Sequence, residues 1–437
     1  MWGKAGQRSL ERSALVEAVA QFTRALAQIG ALPGTPELRR EQIKLQVALI
    51  NPLIHIKGPA APESKAAIER AHLLIEQAEA FGEPPEDPLL LFSALYGFWI
   101  ASHVAFNGDI VRELAAQFLA RAERQGATVP LMIGHRLLGT SWLLTGTIAE
   151  GQAHLDRALT LYDPLEHRQL ATRFGHDIRS AALCFRSWAT WLLGYPEAAL
   201  ADADHALGEA RETGHVASLM HTLGHVPFTF CECGSRTKAK LVVDELAALA
   251  DEKGTVLWKA LAMMNQGWLF ALAGQAADAV HNITSGLSAW QSTGARVWIP
   301  FYLSLVTEAY AAIGQFDDAW RCIGEATTAI QTTKEKWCEA EVHRVAGEIT
   351  LMSPEPDATK AQAYFERALA VARQQQAKSW ELRASMSLAR LWHDQGKVQQ
   401  ARELLAPVYG WFTEGFDTRD LKEAKALLDE LRIIETS

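Results

Sequence analysis

The sequence is short of most features that mark a function class. Five cysteines in 437 residues (Cys184, Cys231, Cys233, Cys322 and Cys338) are too few and too scattered for a disulfide framework, so a reducing compartment, the cytoplasm, is expected. No basic excess exists. The 42 Lys and Arg against 51 Asp and Glu leave a net charge of −9, spread along the chain, which argues against nucleic acid as a partner. No GxxxxGK[ST] phosphate loop occurs. The first residues, MWGKAGQRSLERSALVEAVA, carry charges throughout and lack the apolar stretch of a signal peptide. One uncharged run needs a membrane check, the 18 residues from Leu89 to Phe106. It contains Ser93, Gly97, Ser102 and His103 and runs into an Asn107-Gly108 turn, so it predicts a buried helix and no membrane span. Alternation of strand type is missing beyond a few residues, which excludes a sheet-based fold.

What the sequence does have is helical periodicity that repeats. From Tyr302, apolar residues fall at Leu305, Val306, Ala309, Tyr310 and Ile313, one face of a helix. After Gly314 the pattern resumes at Ala319, Ile323, Ala326 and Ile330, and a near-copy surrounds Gly274. Candidate turn glycines are Gly108, Gly146, Gly194, Gly234, Gly274, Gly314 and Gly396, with one turn replaced by Pro354, Pro356 and Asp357. Their regular spacing, near 40 residues, predicts stacked antiparallel helix pairs. Small residues recur seven positions before the glycine (Gly139, Ser187, Gly267, Thr307, Ala389) and five after it (Gly151, Ala199, Ala239, Ala279, Ala319, Ala401). Large aromatics recur four before it (Trp142, Phe230, Phe270, Tyr310, Trp392). Small residues let two helices approach closely, and the aromatics fill the wedge between units.

These offsets resemble the tetratricopeptide repeat, with a period near 40 rather than 34. The expected fold is all-α: a solenoid of about nine to ten helix pairs forming one continuous array over residues 1–437. Residues 1–30 form its first repeat, with Trp2, Gly6, Ala18, Phe22 and Ala25 in register and no cap. Residues 411–437 close it with a helix that Asp417-Thr418 would start. The uncapped start leads to the expectation that the chain is, or derives from, the C-terminal part of something longer. Segments such as YDPLEHRQLATRFGHDIRSAALCFRSWATWLLGYPEAAL and AKSWELRASMSLARLWHDQGK resemble the C-terminal repeat region of bacterial class III adenylate/guanylate cyclase–predicted ATPase regulators of the AAA or STAND type. That resemblance implies a sensor or docking arm and no catalysis in these residues.

Two clusters invite chemistry. His221 and His225 share a helix face, with Cys231 and Cys233 beyond them, a set that could hold zinc. A CxC pair in a helix points its sulfurs apart, so packing histidines and buried thiols are expected and no metal. His176 and Asp177 beside Ser180 suggest a hydrolase, yet no nucleophile elbow is present, and Asp177 is expected to cap a helix. No catalytic residue and no cofactor are expected. Fourteen tryptophans are unusual, and most should be core. By repeat register, the first helix of each unit lines the concave face, which places Arg136, Trp188, Trp191, His221, Trp268, Glu308, Arg383 and Arg390 there, with His176 and Asp177 nearby. The expected function is a non-catalytic scaffold that binds a protein or peptide partner in this groove, a partner that includes an upstream ATPase or cyclase module. The alternative is a sensor that binds a metabolite in the same groove.

Overall fold

The computed structural model describes residues 2–433 apart from residues 13, 59–60 and 84–86. Ten antiparallel helix pairs and one final helix follow one another, and among the described residues there is no strand. The pairs are α1 (Trp2–Glu11) with α2 (Leu15–Gly30), α3 (Pro36–Lys57) with α4 (Pro62–Ala80), α5 (Leu89–Ala105) with α6 (Gly108–Gln125), and α7 (Thr128–Leu144) with α8 (Ile148–Thr160). The short α9 (Pro164–His167) and α10 (Ala171–Phe174) lie in a connection that leads to α11 (Ile178–Leu192) and α12 (Pro196–Thr213). Then come α13 (Val216–Glu232) with α14 (Arg236–Lys253), α15 (Val256–Leu272) with α16 (Ala276–Ser292), and α17 (Ile299–Ala312) with α18 (Phe316–Thr333). Last are α19 (Glu339–Met352) with α20 (Ala358–Gln374), α21 (Lys378–Asp394) with α22 (Val398–Tyr409), and α23 (Arg419–Ile433). None of the described helices is long and apolar enough to cross a membrane, α5 included.

The turn glycines at 146, 194, 234, 274, 314 and 396 all have positive φ, the conformation that a tight αα-turn demands and that a side chain resists. Gly108 is different. It is the first residue of α6, with Asn107 as N-cap, and Phe106 (φ 34°) makes the bend instead. Gly108 is small because Lys334 packs onto it: a Cβ there would lie 2.8 Å from the Lys334 Cβ. Where the proline-rich segment replaces the turn glycine, Asp357 caps α20 through the Lys360 N–H (2.9 Å). The small residues inside the pairs do what their spacing implied. A Cβ on Gly139 would sit 2.8 Å from the Gly151 carbonyl oxygen, and one on Gly267 would sit 2.6 Å from Ile283 Cγ1.

The array coils so tightly that successive turns touch. The Val104 carbonyl at the end of α5 accepts hydrogen bonds from the Arg296 (2.7 Å) and Val297 (3.2 Å) amides. The Leu144 carbonyl at the end of α7 accepts from the Lys336 (2.9 Å) and Trp337 (3.3 Å) amides. The Ser379 hydroxyl donates to the Trp191 carbonyl at the end of α11. Each bond joins one unit to the fifth unit after it, so a superhelical turn holds about five pairs. Carbonyls at a helix C-terminus have no partner in their own helix, and here the next turn supplies the donors.

The core follows from this closure. One aromatic interior runs from Phe92 to Trp380, and smaller apolar clusters serve the first two pairs, the α20–α21 contact and the C-terminal helices. Trp298, Trp337 and Trp380 enter from the loops that precede α17, α19 and from the start of α21, and meet the first helices of the earlier turn. Trp188 packs against Trp337 with ring centroids 5.4 Å apart, and Trp191 meets Trp380 edge-on at 4.8 Å.

Candidate ligand cleft

The first helices of units six to ten, α13, α15, α17, α19 and α21, present their inner faces to a cleft of about 1050 Å³. Helix α23 forms its far wall. Trp268, Phe301 and Leu305 make an apolar side, while the floor is charged.

Arg383 is the strut of that floor. Its guanidinium reaches Asp420 on α23 (2.7 Å), Glu341 on α19 (3.5 Å) and Glu232 at the end of α13. It also lies 5.2 and 5.1 Å from the ring centroids of Trp191 and Trp380, so two indoles flank the cation. Arg344 makes the second node, pairing with Glu308 (2.9 Å), Glu341 (2.8 Å) and Glu348 (3.2 Å). The Ser387 hydroxyl donates to Glu348. Thus two guanidinium groups face five carboxylates, Glu232, Glu308, Glu341, Glu348 and Asp420. Nearer the rim, Arg390 (3.1 Å) and Arg419 (2.7 Å) share Glu423.

Burial and the two arginines set the protonation equilibria of the floor. Burial pushes the Glu232 carboxyl up to about 7, and the nearby Asp420 and Glu341 charges add to the rise against the pull of Arg383. Glu341 goes the other way. Against the cost of burial, Arg344 and then Arg383 hold it below the ordinary carboxylate value. The cleft therefore contains one carboxyl that is half-protonated near neutral pH beside one that stays ionised.

The sequence-predicted residues divide into two places. Trp268, Glu308, Arg383 and Arg390 line the cleft. Arg136, His176 and His221 line a separate internal cavity between the first and second superhelical turns. Trp188 and Trp191, expected on an open groove, are 5% and 2% exposed, because Trp337 and Trp380 of the following turn cover them. Asp177 is fully buried. It caps α11 through the Ser180 amide (2.8 Å) and accepts from the Tyr162 hydroxyl (2.6 Å), a structural role. His221 and His225 stack on each other at 4.1 Å in the internal cavity, whereas Cys231 and Cys233 are at the other end of α13, beside the cleft.

Glu341 and Arg344, the centre of the charged floor, were not foreseen. Their unit lacks the turn glycine that anchored the register elsewhere, so counting back from a glycine could not reach them. Glu232 and Asp420 join the site only through the closure of the coil.

No protein-family model matches the sequence, and no curated protein is detectably similar to it. Solved structures do share the fold. A Rap protein complexed with the competence and sporulation factor superposes with a TM-score of 0.58 at 11% identity, over 90% of this chain and 100% of that one. The apo quorum sensor NprR from B. thuringiensis gives 0.49 at 12% identity, over 84% and 98%. A STAND protein with a tetratricopeptide repeat sensor from Pyrococcus horikoshii gives 0.38 at 10% identity, over 86% and 55%. The first of these shows the fold alone, a tetratricopeptide-like helical-repeat solenoid, and the weaker two add nothing to it.

Proposed function

We propose that the chain is a non-catalytic scaffold that binds a short peptide or an extended protein segment in the cleft between α13–α21 and α23. The observation that carries this reading is the charged floor, where Glu232, Glu308, Glu341 and Asp420 meet Arg344 and Arg383 beside an aromatic wall, under a rim that carries Arg236, Arg390, Arg419 and Lys422. A cleft of about 1050 Å³ is just above the range for small-molecule pockets, roughly 300–1,000 Å³, and accommodates several residues of extended chain. The surplus acid selects a segment that brings a positive charge, a Lys or Arg side chain or an N-terminal ammonium, down to Glu232 and Glu308. Trp268 and Phe301 take an apolar side chain next to it. The fold likeness to a Rap protein complexed with the competence and sporulation factor supports the same reading. The resemblance of the repeat segments to cyclase–ATPase regulators supports a place as the sensory arm of such a protein or as its partner.

A displayed library of random hexapeptides tests this. Selection on the wild-type chain should enrich Lys- or Arg-containing peptides, and Glu308→Lys at the accessible edge of the floor should weaken the selected peptides more than about tenfold. Enrichment of acidic peptides, or selected peptides that bind Glu308→Lys as tightly as the parent, would overturn the assignment to this cleft.

A further inference from the structure

The internal cavity is a second site of opposite chemistry, and it stands independently of the cleft. It lies where the first and second superhelical turns meet, between α3, α5, α7, α13 and α15, and has about 60 Å³ of free space. Arg136 faces it and is 1% exposed. Among the described residues no carboxylate pairs with this guanidinium. The polar groups that face it are the Tyr96 hydroxyl and the Cys184 thiol, both neutral at pH 7, and one face rests 5.2 Å from the Trp99 ring centroid. Its Nε and Nη1 have no hydrogen-bond partner. Two indole donors that line the same cavity, Trp258 Nε1 and Trp298 Nε1, are also unpartnered, on side chains 7% and 5% exposed.

An unpaired cation in an apolar interior is destabilising, and each unmet buried donor adds to the cost. Guanidinium and indole nitrogens donate and never accept. Three such groups on residues that line one space, with no anion of the chain's own, favour an acceptor-rich negative partner. The surrounding histidines do not compete with it. Burial pushes His225 down to about 4, and His103, His176 and His221 fall with it, so all four are neutral at pH 7.

We infer that the cavity binds a small monocarboxylate. A carboxylate oxygen accepts from the free Nη1 of Arg136, while Nε–H points to the opposite edge of the guanidinium. The indole N–H groups of Trp258 and Trp298 reach its remaining lone pairs. Its tail lies against Ile54, Ile100 and Leu257. On this measure one water needs roughly 10–15 Å³, so about 60 Å³ admits four to six non-hydrogen atoms, an anion of two to four carbons. Entry is past Asn51, His55 and Gly175, which the cavity shares with an outer depression of about 190 Å³.

Isothermal titration of the purified chain with sodium propionate, at fixed chloride and ionic strength, tests the site against its uncharged isostere propionamide. Saturable one-to-one binding of propionate at least about tenfold tighter than that of propionamide is expected. Arg136→Gln should abolish it with the helical circular dichroism retained, and Trp258→Phe, which keeps the charge and removes one donor, should weaken it roughly tenfold. No saturable binding of any monocarboxylate from formate to butyrate overturns the proposal, as does equal binding of the amide. If Arg136→Gln does not fold, unchanged propionate affinity in Trp258→Phe overturns it alone.

Discussion

Replacing Glu232 by Gln should make the protein more stable at alkaline pH and barely change it in acid. Glu232 ends α13, its side chain is 5% exposed, and Arg383 cannot fully offset the cost of burying its charge, to which Asp420 and Glu341 add. A carboxyl that ionises near 7 in the folded chain, against about 4.5 when unfolded, holds a proton that the unfolded chain has already released. Stability from this group is therefore highest below about 4.5, falls as pH rises toward 7, and is fully lost above it. At about 1.4 kcal/mol per tenfold change in proton affinity, the penalty reaches about 3 kcal/mol at pH 8 and stays under about 1 kcal/mol at pH 5. Gln imitates the protonated acid, so Glu232→Gln should recover about 1–3 kcal/mol at pH 8, the lower bound allowing for a poorer hydrogen bond to Arg383. The assay is urea unfolding of parent and variant at pH 5 and pH 8. A rise in midpoint on the order of half a molar is expected at pH 8 and little at pH 5. Comparing variant with parent cancels other groups that titrate in this range, such as Glu335, which burial pushes up to about 8. A variant less stable than the parent at pH 8, or an advantage equal at both pH values, would refute the account of the floor.

Other consequences can be checked as directly. Gly267→Ala drives a methyl group to 2.9 Å from the Ile283 amide nitrogen as well as into its side chain, and should cost about 1–3 kcal/mol in denaturant unfolding. Trp191→Ala empties the space between Phe228 and Trp380 and removes one of the rings flanking Arg383, so a loss of about 3–5 kcal/mol is expected by the same measurement. Glu197→Ala removes the acceptor for the Gly415 amide (2.8 Å), and hydrogen exchange should then speed up in the loop before α23 while α7 and α8 stay protected.

The helix pairs were legible because αα-turns and close helix contacts demand particular residues, and those residues recur at fixed offsets. The second set of turns was overlooked for a physical reason. Gly126, Gly214, Gly254 and Gly294 end the second helices in the left-handed conformation, but Lys334 and Gln376 adopt it in later units, so the glycine series breaks off. Half of the cleft was legible for the same reason as the pairs: Trp268, Glu308 and Arg390 hold one register position before their turn glycines. What register cannot supply is the pitch of the coil. Pitch decides that Trp188 and Trp191 are covered by Trp337 and Trp380, that Arg136 ends in an internal cavity, and that Glu232 meets Arg383. These contacts depend on small rotations accumulated over five units, and no single repeat encodes them.

The bonds between turns change how such a chain tolerates alteration. In an open array each module touches only its neighbours, so evolution or an engineer may add or drop one freely. Here the Val104 and Leu144 carbonyls each meet amides 192 positions downstream, 296 and 336 respectively. Excising a single module between them would slide every such stitch out of alignment at once. Length variation is therefore tolerable only outside the stitched gyres, and the number of modules between them is as much a part of the structure as any side chain.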